Sequence, residues 1–128
     1  LAIRMFYERW KEDFGDPNGR VHEALNKLMI EWMEPHEKNV LGYSIDGKMI
    51  RGRAKGLALS PTYIKVRKTV YKRLASTSLI HELTHVALWN SGNILGDPDH
   101  EGEAYRGWTS KHTKMIKDLN RILADINI

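Results

Sequence analysis

Between Asn39 and Val70 the apolar residues stop recurring at steps of three and four and begin to alternate with polar ones, while on either side the helical spacing holds. A 3.6-residue period draws a stripe along a helix and a period of two draws one face of a strand, so this change of period directs the chain to an α+β fold. Before the change, Ile3, Phe6, Tyr7, Trp10 and Phe14 mark an amphipathic helix that Gly15 ends. After the turn DPNG (16–19), Val21, Leu25, Leu28, Met29 and Trp32 repeat the spacing and predict a second helix that Pro35 stops. Within the alternating stretch, Asp46-Gly47 is a hairpin signal and Ser60-Pro61 a turn, so three strands are expected over VLGYSIDGKMIRGRAKGLAL and TYIKVRKTV, in a small, mainly antiparallel sheet. Helical spacing then returns from about Lys72 to Ser91, with Leu74, Leu79, Leu83 and Val86 or Ala87 on one side and Gly92 as the C-terminal cap. Residues 93–102 have loop chemistry. A last helix is expected from about Ser110 to Ala124, with Met115, Ile116, Leu119, Ile122 and Leu123 inward.

A chain of 128 residues can bury one core, and a single domain over 1–128 is expected. No apolar stretch approaches the roughly 18 residues of a membrane-spanning helix. Cys is absent, which excludes disulfides, thiolate zinc ligands and a Cys nucleophile. The net charge is +4, and basic residues thicken from Arg51 to Arg73 (Arg51, Arg53, Lys55, Lys65, Arg67, Lys68, Lys72, Arg73). A nucleic-acid surface is one reading of that run. Solvated strand and helix faces are the better one, because apolar residues interrupt it at strand spacing. The first residue is Leu1 and Cys is lacking, which leaves localisation open with a lean to an extracytoplasmic or secreted site; a monomer is expected.

Inside the third helical stretch lies LIHELTHVALW (79–89). Positions four apart on a helix return to nearly the same face one turn on, so His81 and His85 can offer imidazole nitrogens to one metal ion. Glu82 stands to the side, where it can reach a water bound to that metal and act as general base. A histidine pair that only packed in a core would have no need of a glutamate between them. A catalytic zinc takes three protein ligands, and the third is sought in GDPDHEGEAYRGW (96–108). Gly102 and Gly107 weaken a continuous helix there and favour a loop-borne ligand, His100. Glu103, and after it Glu101, are the alternatives; Asp97 or Asp99 could support a ligand ring. Tyr105 or His112 could stabilise an oxyanion, although packing or capping is the commoner role at such positions. Trp89 is expected to wall the core beside the site; Trp10, Trp32 and Trp108 to be core or helix-contact residues; His22 and His36 to lie at the surface.

HELTHVALW followed by GDPDHEGEAYRGW resembles the zincin metallopeptidases, and more narrowly small bacterial single-domain zincins and SprT-like proteins, in which HExxH is followed after a short loop by another histidine. The resemblance covers about 30 residues. It implies a zincin-like fold, zinc at His81, His85 and His100, Glu82 as the catalytic base, and hydrolysis of peptide bonds in a peptide or protein substrate. Three departures bear on the subfamily. No cysteine-based zinc ribbon follows the motif, Leu88 stands where metzincins have a glycine, and EAY at 103–105 fits the glutamate zincins only in part. The alternative function is a non-enzymatic zinc-containing module that binds nucleic acid or protein through residues 51–73. Zincins characteristically align substrate along a sheet edge, a role that GLALS or TYIKV could fill.

Overall fold

The computed structural model describes residues 1–36, 39–43, 45–52, 54–69, 73–92 and 107–126. Among them are four α-helices, α1 (Ala2–Asp13), α2 (Arg20–Lys27), α3 (Leu79–Asn90) and α4 (Ser110–Asp125), and five strands, β1 (Met29–Met33), β2 (Asn39–Tyr43), β3 (Met49–Gly52), β4 (Gly56–Ser60) and β5 (Tyr63–Arg67). The fold is α+β. Strands β1, β5 and β4 form one sheet in that order, and β2 and β3 form a separate antiparallel hairpin across the Asp46-Gly47 turn, where Gly47 adopts a positive φ of 82°. Strands β4 and β5 are antiparallel across Pro61-Thr62, and β1 runs parallel to β5 with Ile30 opposite Ile64.

The parallel β1–β5 pair corrects two expectations. The second helix does not run on to Trp32; it ends at Lys27, and Leu28 is already extended with ψ of 128°. The sheet is accordingly mixed. Leu and Met favour helix intrinsically, but the edge of β5 offers MIEWM a ladder, and the pairing continues past both ends through Met29 N–H to Thr62 O and Lys68 N–H to Met33 O, each 2.9 Å. Pairing with a distant strand outweighs a propensity of a few tenths of a kcal/mol per residue. Trp32 is therefore 38% exposed on this strand rather than in the core, while Met33 is buried.

Helix α3 also begins later than its apolar spacing predicts. The hydroxyls of Ser76 and Thr77 reach back to Arg73 O and Leu74 O, both at 2.7 Å, and Thr77 Oγ1 accepts from Leu79 N–H. These local bonds compete with helical ones and leave only a 3-10 turn at Leu74–Ser76 before the helix. Nine of the twelve residues of α3 are buried, because the sheet, α1, α2 and α4 all pack around it. Gly92, with φ of 95°, follows its C-terminus as the spacing predicts.

One cluster of buried residues joins Phe6 and Trp10 of α1, Val21 and Leu25 of α2, Ile64 and Val66 of β5, the length of α3, Trp108, and Met115, Leu119 and Leu123 of α4. On α4 the inner stripe is completed by His112, and Ile122 lies outside it, 40% exposed. Across the core, Arg9 of α1 bridges Asp13 at 2.7 Å and Asp118 of α4 at 3.1 Å. No helix among the described residues is long and apolar enough to cross a membrane.

Candidate metal centre

The position of α3 is set at both ends by side chains. Ser78 Oγ donates to Lys55 O, just before β4, at 2.9 Å. Asn90 Nδ2 donates to Pro61 O, just after β4, at 2.9 Å, and to Val86 O at 2.8 Å. Twelve helical residues and a six-residue extended span both cover about 18–20 Å, so the helix lies along β4 with its ends matched to those of the strand.

On that helix His81, Glu82 and His85 each present a ligand atom, and these atoms all lie within 4.8 Å of one another. Donor atoms about 2 Å from a tetrahedral zinc stand roughly 3.4 Å apart, a spacing reached from here by small side-chain rotations. Two imidazoles beside a carboxylate are a donor set that could hold a divalent metal ion. His81 is half-buried, His85 is 7% exposed and Glu82 4%. The imidazole rings meet edge to face, 4.9 Å between centroids.

Burial pushes the Glu82 carboxyl up to about 8, against a smaller lowering effect of the neighbouring Ser78 hydroxyl. The wall that buries it includes the first residue of β4. A Cβ built on Gly56 would lie 2.6 Å from Glu82 Oε2 and 2.8 Å from its Cγ, and would also meet Ser78 Oγ. Only glycine allows the strand this close to the carboxylate.

Two aromatic residues lie near the centre, Trp108 against both histidine rings and His112 in the capping and packing role expected at the start of a helix. Trp108, 2% exposed, lies 5.0 Å from the ring of His81 and 4.9 Å from that of His85, and its Nε1–H donates to Thr113 Oγ1 at 3.0 Å. The sequence marks it only as a core residue. His112 is a capping and packing residue: its Nδ1 accepts from Thr109 N–H at 2.9 Å in a capping box at the start of α4, and its ring stacks on Phe14 at 3.9 Å. Trp89 is half-buried and outside the core cluster, so the indole against the histidines is Trp108. His22 and His36 are at the surface. His100, Glu101, Glu103, Asp97, Asp99 and Tyr105 lie outside the described residues.

No protein-family model, curated protein or solved structure matches the chain.

The basic stretch offers less open charge than its composition suggests. Lys65 pairs with Glu31 at 3.1 Å and Lys68 with Glu34 at 2.9 Å. Arg67 donates to Ala54 O at 2.8 Å and Glu34 O at 2.6 Å. Arg53 and Lys72 lie outside the described residues.

Proposed function

We propose that the chain is a zinc-dependent metallopeptidase of zincin type, with His81 and His85 as two of the zinc ligands, Glu82 as the general base and His100 as the third ligand. The observation that carries the reading is a pair of imidazoles and a buried carboxylate with donor atoms within 4.8 Å on one fixed helix. When bound, zinc supplies Lewis acidity to a water and to the scissile carbonyl. Glu82 takes a proton from the attacking water on a carboxylate oxygen and passes it to the leaving amine nitrogen. The raised value describes the metal-free site; a cation held by the neighbouring histidines favours the ionised carboxylate that can take the proton. Strand β4 has one neighbour in its sheet among the described residues, and it starts at Gly56, against Glu82. A peptide added along its outer edge runs beside the carboxylate, with the main chain held by ladder hydrogen bonds.

The test is metal content. Purified protein reconstituted with zinc is expected to hold about one ion per chain, and to lose it in His81→Ala, His85→Ala and His100→Ala while Glu103→Ala keeps it. Loss in Glu103→Ala with retention in His100→Ala would move the third ligand to Glu103. Absence of zinc from the reconstituted wild type would leave LIHELTHVALW an ordinary buried helix and bring forward the non-enzymatic binding module. The carboxylate separates the alternatives in a zinc-containing protein: a closed structural site has four protein ligands and no use for Glu82 beside it, whereas hydrolysis needs it.

A further inference from the structure

We infer that Trp108, held by Thr113, is the positioning residue that orients both helix-borne imidazoles for the metal, an inference that rests on the metal-site reading above. Two histidines one turn apart have independent side-chain torsions, and a metal ion binds only the subset of rotamers in which their nitrogens converge. Ordering such side chains costs conformational entropy at the moment of binding unless packing has already ordered them. One indole lies against both rings here. Its centroid is 5.0 Å from His81 and 4.9 Å from His85, and it meets both rings at nearly the same inclination, 48° and 50°. One rigid plane thus limits both rings together.

The plane is itself fixed. Trp108 is 2% exposed, and the 3.0 Å bond from its Nε1–H to Thr113 Oγ1 ties the indole to the first turns of α4. That end of α4 is anchored through His112, whose Nδ1 takes part in the capping box with Thr109 while its ring stacks on Phe14 at 3.9 Å with an interplanar angle of 5°. A path of direct contacts therefore runs from α1 through His112 and α4 to Trp108 and on to the two imidazoles of α3.

The test compares zinc affinity, by competition with a chromophoric chelator, in wild type, Trp108→Phe and Thr113→Val, with circular dichroism and thermal melts confirming that each variant folds. Thr113→Val keeps the side-chain shape and removes the hydroxyl that accepts from Trp108 Nε1–H, so it remains informative if the tryptophan variant folds poorly. Neighbours that orient metal ligands typically alter affinity 10- to 100-fold. Trp108→Phe is expected to weaken zinc binding by about 10-fold or more, and Thr113→Val by a smaller, several-fold amount. Cobalt added to the wild type is expected to quench a tryptophan emission component that Trp108→Phe lacks, a signal that depends on proximity and not on activity. Folded variants that bind zinc as tightly as wild type would overturn the positioning role and leave the metal site standing. Failure of the wild type itself to bind zinc or cobalt would overturn the metal-site reading and this inference with it.

Discussion

Burial holds the Glu82 carboxyl up to about 8, well above its ordinary value of 4.5, and this has a measurable signature in metal-stripped protein. The folded state binds a proton that the unfolded state has released between those two values, so this group's contribution to stability is greatest below about 4.5, falls as pH rises through the window and levels off above about 8. Glu82→Gln, a neutral isostere, is expected to flatten that part of the profile and to be more stable than wild type at pH 8.5; thermal melts across pH 4.5–9 in chelator would show it, and an unchanged slope would contradict it. Gly56 makes a second demand on the same carboxylate. A methyl group there lands 2.6 Å from Oε2, so Gly56→Ala is expected to displace Glu82 or the start of β4 and reduce peptide hydrolysis about 10-fold or more while zinc content is kept. Full activity in that variant would show that the close approach is incidental. The pairing of His81 with His85 is legible in the sequence because it follows from helix arithmetic over five residues. Trp108 is not, because its contact with both rings arises where two elements distant in the chain pack together, and no local period records that.

At the scale of elements, α3 is clamped over β4 by Ser78 at one end and Asn90 at the other. Asn90→Ala leaves Pro61 O and Val86 O without that donor and is expected to cost about 1–2 kcal/mol, read as a lower thermal midpoint. A midpoint equal to wild type would mean that apolar packing alone holds the helix. Helix α2 depends on Asp16, whose carboxylate accepts from Val21 N–H at 3.2 Å, His22 N–H at 3.0 Å and the Tyr7 hydroxyl at 2.9 Å. Burial alone would raise its pKa, but the His22, Val21 and Tyr7 bonds together outweigh that and hold it below the ordinary carboxylate value of 3.8. The stability it contributes is present above that value and is lost as pH falls through the depressed folded one. Asp16→Ala is expected to cost about 1–2 kcal/mol at neutral pH, with the difference from wild type shrinking at low pH in acid titrations of the two. Elements were legible where local signals agreed: α1 with its stripe, the Asp46-Gly47 hairpin, α4 with its inner face. The two misreadings have a common physical form. In MIEWM a pairing partner more than thirty residues away overrode helix propensity, and in Ser76-Thr77-Ser78 hydroxyl bonds to the backbone interrupted a stretch whose apolar spacing was helical.

At the scale of the molecule, the helix that carries the histidines is enclosed by α1, α2, α4 and the sheet, so its ligand atoms are held by the same core that holds the fold. A metal bound there would be linked to the fold: a ligand that binds only the folded state stabilises it by about 2.7 kcal/mol at a hundredfold excess over its Kd. Zinc is expected to raise the thermal midpoint of the wild type and to leave that of His81→Ala unchanged, a comparison that needs no substrate. The proposed function is hydrolysis of peptide bonds at this centre through Glu82. The most direct measurement is the rate at which zinc-loaded wild type and zinc-loaded Glu82→Gln cleave a mixture of quenched-fluorescence peptides, with metal content determined on the same samples. Cleavage by the wild type is expected, with a loss of roughly 100-fold or more in the variant at equal zinc occupancy. Cleavage that persists in Glu82→Gln, or zinc-loaded wild type that cleaves nothing in a broad peptide mixture, would contradict the proposed function.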